Sequence, residues 1–134
     1  MAQSFKFDLV SPERLLVSQD VESVVIPGTE GELTVMATHA PTMTSIKPGV
    51  VAVTAGGKTE RYVVFGGFAD ILPDGCTVLA ESAVHVDDIN REDIARRIQE
   101  AREDLEDAGD HEARLRAEDF LHQLTTLEGA ILPA

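Results

Sequence analysis

The first readable pattern along the chain alternates Phe5, Phe7 and Leu9 with Lys6, Asp8 and Val10. That is the two-residue period of a strand with one face turned inward. Further short runs of β-branched and apolar residues follow at 21–26, 50–54, 61–65 and 77–80, and they too read as strands. Between the runs stand Ser11-Pro12, Pro27-Gly28, Lys47-Pro48-Gly49, Gly56-Gly57, Gly66-Gly67 and Pro73-Asp74-Gly75. Each supplies the backbone freedom or the fixed φ that a tight turn requires. Many short strands at this spacing predict a β-sandwich or a flattened barrel.

After Val86 the period changes to that of a helix. Asn90 is placed to cap its start, and the acidic residues around it, Asp87 and Asp88 included, suit a helix N-terminus. Ile94, Ile98, Ala101, Leu105 and Ala108 form one stripe in steps of four and three, and Ala113, Ala117, Phe120, Leu124, Leu127 and Ile131 form a second. Gly109 stands between them, suited to a left-handed helix end. Two such stripes joined by a short link predict an antiparallel hairpin in which each buries the other. The expected fold is therefore mostly β plus α, with a β-sandwich over 1–86 and a two-helix hairpin over 87–134.

Composition adds exclusions. Hydrophobic residues are 43% of the chain and charged residues 26%, so the chain has the means to fold and does not resemble a disordered one. A net charge of -13 speaks against a nucleic-acid partner, which calls for Lys and Arg against phosphates, and against docking on anionic lipid. Residues 1–86 hold 5 Lys and Arg against 10 Asp and Glu, and residues 87–134 hold 6 against 14. The hairpin is the more acidic part, and its narrow, alanine-rich seam marks it as the less stable and more movable one. No apolar run is long enough to span a bilayer. The start lacks both an apolar signal core and an Arg-rich presequence, which points to a bacterial cytoplasm.

The search for chemistry finds little. His39, His85, His111 and His122 have no metal-ligand spacing, and no esterase elbow, phosphate loop or dinucleotide fingerprint occurs. Asp87-Asp88 reads as helix capping rather than as an acid/base pair. Cys76, the single cysteine, has no basic neighbour in sequence to activate it and reads as a strand residue. The most distinctive segment runs over residues 26–41. Within it a Pro-Gly step and Gly31 define a tight loop that projects Glu30 and Glu32, and His39-Ala40-Pro41 closes it. From the residues alone this is a solvated hairpin turn and a strand exit.

The loop Gly28-Thr29-Glu30-Gly31-Glu32-Leu33, then His39-Ala40-Pro41, Ile46-Lys47-Pro48-Gly49, Phe65-Gly66-Gly67-Phe68-Ala69 and Val78-Leu79-Ala80-Glu81 together resemble the epsilon subunit of bacterial F-type ATP synthases, called delta in mitochondria. With the hairpin, the resemblance covers nearly the whole chain. It implies a non-catalytic rotor subunit of the central stalk, without a cofactor, held peripherally at the cytoplasmic face of the bacterial inner membrane. It implies that the sandwich is clamped to the gamma subunit and rests on the c-ring, with no direct membrane insertion. By match to the family's loop, Glu30, Gly31 and Glu32 would face the c-ring, and His39, Ala40 and Pro41 would lie near gamma.

In many members of that family the hairpin extends toward the catalytic alpha and beta subunits and arrests ATP hydrolysis, and in some it binds ATP through Ile/Leu-Asp-x-x-Arg-Ala. Here the matching stretch is Ile89-Asn90-Arg91-Glu92-Asp93-Ile94. An acid stands where the arginine belongs, so phosphate would be repelled, and no nucleotide site is expected. Residues 117–134 hold no Lys or Arg, and inhibition by the hairpin is expected to be weak. Two competing readings are a nucleotide- or anion-sensing regulatory module and a small hydrolase. The first predicts cations converging on the hairpin seam, and the second a nucleophile with a recognisable base.

Overall fold

The structure, a computed structural model, describes residues 3–131. Residues 1–2 and 132–134, the ends of the two expected regions, lie outside the described residues. The chain divides into two compact units, with the division between Asp87 and Asp88.

The first unit consists of β1 (Phe5–Val10), β2 (Leu15–Val21), β3 (Ser23–Gly28), β4 (Gly31–Met36), β5 (Thr42–Ala55), β6 (Lys58–Leu72), β7 (Gly75–Ala80) and β8 (Ala83–His85). Their order is β2-β1-β7-β6-β5-β3-β4, with β8 on β6. All pairs are antiparallel except β1 with β7. The long strands β5 and β6 serve both halves of the sheet. Residues 42–46 pair with 67–71 beside β7, whereas residues 52–54 lie between β6 and β3. Gly67 stands where β6 passes from one half to the other, at φ 139. A Cβ there would fall 2.1 Å from the Leu79 carbonyl oxygen, a distance no side chain tolerates.

The inward phase of the strands builds one core. Phe7, Leu9, Val24, Ile26, Val51, Ile71 and Val78 have no measurable exposure, and the alternation at Phe5, Phe7 and Leu9 points inward as the sequence predicts. Three strands escaped the sequence reading. β2 carries Ser18-Gln19-Asp20 at the sheet's edge, β4 was absorbed into the distinctive loop, and β8 has only three residues.

The second unit holds α1 (Arg91–Asp107) and α2 (His111–Ile131), packed on each other. Asn90 caps α1 as expected: its Oδ1 accepts from the backbone N–H groups of Glu92 at 2.7 Å and Asp93 at 3.3 Å. Ile94, Ile98 and Ala101 are buried and Leu105 is half-buried, so the first stripe is the seam. The second stripe needs a correction. Phe120 is 40% exposed, and Leu121 takes its place between Ala117 and the buried Leu124 and Leu127. A step of four from Ala117 keeps to the seam better than a step of three, because 3.6 residues make a turn.

The link between the helices also departs from expectation. The C-cap is Ala108 in an extended conformation, its N–H donating to the Leu105 carbonyl at 3.3 Å, and Gly109 has no positive φ. The reason lies one residue on. Asp110 caps the next helix at once, its Oδ1 accepting from Ala113 N–H at 2.7 Å, so the chain reverses through a short extended link without a left-handed cap on α1.

Candidate interaction surfaces

The Glu30 loop is the tip of the β3–β4 hairpin. Gly28 pairs with Gly31, leaving Thr29 and Glu30 as a two-residue turn. Gly31 has φ 132, a conformation that favours glycine. The tip is fastened from the side, because Thr29 N–H donates to the Ser45 carbonyl on β5 at 3.0 Å. Glu30, Gly31 and Glu32 are all exposed, so two carboxylates stand on a short, braced turn.

His39, Ala40 and Pro41 follow at the other end of β4, roughly 17 Å away by strand rise. The structure does not bring the two groups together. Their loop, residues 37–41, is braced by its own hydrogen bonds. The Ala40 carbonyl accepts from His39 Nδ1 at 2.8 Å and from the Thr42 hydroxyl at 3.2 Å. Thr38 N–H donates to the Pro73 carbonyl at 2.9 Å, which joins the loop to the β6–β7 turn. Thr38 has φ 62, alone among the described non-glycine residues with a positive value.

A third feature was missed in the sequence. Four strands place one apolar side chain each in a cross-strand row on the outward face: Leu15 pairs with Val10, Val10 with Leu79, and Leu79 with Phe68. Leu15, Leu79 and Phe68 are each more than half exposed. Met43 and Leu72, on the same face, are also exposed and lead to the loop at residues 37–41. Asp8 and Asp70 share the neighbouring row across Thr77. The signal was partly present: 78–80 are apolar in both phases, and 68–72 are too except for Asp70, a pattern close to that of strands covered on both sides. A continuous uncovered row of this kind marks a surface for another protein.

Reactive chemistry is thin at all three places. Cys76 is buried, and that burial, with help from the Asp70 charge, pushes its thiol up to about 12. It is a core residue rather than a nucleophile. Among the described residues no three His, Cys, Asp or Glu side chains gather as a metal site would require. Asp87 and Asp88 belong to a 3-10 turn ahead of α1 and do not cap it. Glu92 and Asp93 supply the acids of its first turn, and Asp87 meets His85 instead. On α1, Asp93 accepts from both Arg96 and Arg97, and Arg96 also donates to Glu100 at 3.0 Å. These hydrogen bonds, ahead of the charges, hold Asp93 below the usual carboxylate range against its own desolvation, the largest single influence.

Residues 4–86 match the family model for the ATP synthase delta/epsilon chain β-sandwich domain. Over the whole of both chains, the protein is 75% identical to the ATP synthase epsilon chain of Mesorhizobium japonicum and 66% identical to that of a Chelativorans species. Among solved structures, it is similar to a chain of the Euglena gracilis mitochondrial ATP synthase assembly of OSCP, F1 and c-ring, at 29% identity and a TM-score of 0.74 over 96% of this chain and 81% of that one. A chain of the Tetrahymena thermophila central stalk and c-ring shares the fold, at 11% identity and a TM-score of 0.57 over 67% of this chain and 72% of that one. The protein therefore belongs to the delta/epsilon family of ATP synthase, as a non-catalytic subunit of the central-stalk rotor.

Proposed function

We propose that the chain docks on the gamma subunit through its outward apolar face and the adjoining loop at His39, Ala40 and Pro41, and meets the c-ring with the tip at Glu30, Gly31 and Glu32. The observation that carries this reading is the uncovered row of Leu15, Val10, Leu79 and Phe68. It needs an apolar partner, and a rotor subunit has one beside it. The separation of the tip from the loop by the length of β4 suits two different partners. A braced turn with two carboxylates suits basic side chains on polar loops, where charge sets orientation as well as affinity. In this reading the sandwich passes torque between the ring and the head at the cytoplasmic face of the bacterial membrane. No helix among the described residues is long and apolar enough to cross that membrane.

Nucleotide sensing is not part of the proposal. The place of the family's arginine is held by Asp93, and Asp93 draws Arg96 and Arg97 into pairs within α1. A phosphate would have to compete with those pairs.

Capture on tagged gamma subunit tests the docking face. The native chain is expected in stoichiometric amount, and Phe68→Asp at least tenfold weaker, because about 1.4 kcal/mol per tenfold is less than the burial of one aromatic ring. Glu32→Lys is expected to bind gamma normally and to reduce ATP-driven proton pumping at low salt by roughly 1–3 kcal/mol of lost contact. Undiminished capture of Phe68→Asp would remove this face from the interface.

A further inference from the structure

The sheet ends on two edge strands, β2 and β4, and they are unlike. On β2, Val17 pairs with Leu9 and Leu15 with Val10, so Leu16 is left over and a bulge interrupts the edge. β4 runs six residues against β3 without a shift of register, and among the described residues no strand pairs with its far side. The direction of its backbone groups follows from the turn. Gly28 and Gly31 close a two-residue hairpin, and an antiparallel ladder alternates hydrogen-bonded pairs with unbonded ones. Pro27, which has no N–H, stands opposite Glu32, so that pair is an unbonded one. Leu33 and Val35 therefore turn their N–H and C=O groups to Ile26 and Val24, whereas those of Glu32, Thr34 and Met36 point away from β3.

Proteins commonly guard such an edge with a lysine, a proline or a bulge. β4 has none of the three. Its surroundings are acidic as well: residues 15–46 hold no Lys or Arg, while Asp20, Glu22, Glu30 and Glu32 are all acids. At the Met36 end of the strand, Gln3, Glu22, Ser23, Met36 and Ala37 line an open cleft of about 270 Å³. Glu22 is fixed there, its Oε1 accepting from Gly56 N–H at 2.9 Å.

We infer that the free edge of β4 takes up an extended segment of a partner protein in which cationic side chains alternate with apolar ones. The segment's backbone bonds to Glu32, Thr34 and Met36, which supplies the affinity, and its alternate side chains supply the choice of partner. Its apolar side chains extend the inward row of Leu33 and Val35. Its cations fall on the outward side, one beside Glu32 and one at the cleft with Glu22, where opposite charges on neighbouring strands attract. A second copy of the chain fits this edge less well, because it brings the same acids and, over residues 15–46, no cation to meet them. The inference is independent of the docking proposed for the outward apolar face, which lies on other strands, and of the ring contact proposed for the tip, which rests on side chains.

Amide exchange of the full chain, followed by nitrogen-15 NMR, reads the edge directly. In the free chain the amides of Leu33 and Val35 should be protected and those of Glu32, Thr34 and Met36 should exchange freely. The probe is a cyclic β-hairpin peptide with arginine and valine alternating along its open edge, whose preformed shape removes the cost of ordering. At saturation it should slow the three free amides by at least about tenfold, whereas the same peptide with glutamate for arginine, or with N-methylated edge amides, should leave them within about twofold. Thr34→Pro removes the middle donor at a position where an edge strand tolerates proline, and should abolish the protection at Glu32 and Met36. Unchanged β5 amides report that this variant is folded, and the N-methylated peptide carries the same test without any substitution. No slowing by the arginine peptide, or equal slowing by the glutamate peptide, would overturn the inference. Protection that appears without peptide and rises with protein concentration would overturn it too, by giving the edge to a second copy.

Discussion

Thr38 sits at φ 62 with its N–H on the Pro73 carbonyl and its hydroxyl 2.5 Å from the Ala37 carbonyl. A β-branched residue is a poor occupant of the left-handed region, where the conformation costs about 1–2 kcal/mol. The local hydroxyl bond offsets only part of that cost. Thr38→Gly is expected to stabilise the protein by about 0.5–1 kcal/mol, after allowance for the freedom glycine gains in the unfolded chain. Urea denaturation would show it as a higher midpoint at an unchanged slope, and a lower midpoint would mean that the hydroxyl bond outweighs the strain. Nothing in the sequence announced this site. Thr38 looks like any polar loop residue, and its dihedral is imposed from a distance by the bond to Pro73, thirty-five positions along the chain.

Elements were more legible than residues, for a reason visible in the hairpin. Asn90, followed by Glu92 and Asp93 and the stripe of Ile94, Ile98 and Ala101, is a local signal, and the helix starts where that signal says. Asn90→Ala is accordingly expected to cost about 1 kcal/mol of the second unit's stability. Phe120→Gln, at a position now known to face outward, is expected to change it by less than about 0.5 kcal/mol. Thermal unfolding followed at 222 nm compares the two, and a larger loss for Phe120→Gln would restore Phe120 to the seam. Phe120 was misplaced because Leu121 beside it is as apolar, and only contact with α1 selects between them. The strands show the same limit. Alternation revealed β1, whereas the polar edge strand β2 and the three residues of β8 are defined by their neighbours rather than by their own sequence. The outward apolar row was only partly legible for a related reason: it is written across four strands, and it exists only once Leu15, Val10, Leu79 and Phe68 are in register.

At the scale of the whole molecule, the division between Asp87 and Asp88 is the feature with the most direct consequence. The core of the first unit is drawn from β1 to β7, and none of its buried members lies beyond Ala80. The seam of the second unit is drawn from its own two helices. A chain ending after Asp87 is therefore expected to fold, to keep the outward face, and to bind gamma as the full chain does. Its loss of ATP synthase function should be small. The hairpin carries Arg114 and Arg116 as the cations of α2, and each stands beside an acid of its own helix, Glu118 at 3.5 Å and Glu112 at 3.9 Å. An arm of this charge has few cations to offer a partner in the head, and burying its carboxylates there would be unfavourable. Leu124 and Leu127 are already committed to the seam, so an apolar grip on the head would require the two helices to separate first. ATP hydrolysis by complexes rebuilt with the full and the shortened chain, at matched occupancy, should accordingly differ by less than about twofold, which corresponds to roughly 0.4 kcal/mol. A several-fold rise on truncation would show that the hairpin opens and inhibits through those leucines, and the same complexes built with Leu124→Asp would then lose the inhibition while keeping the sandwich intact.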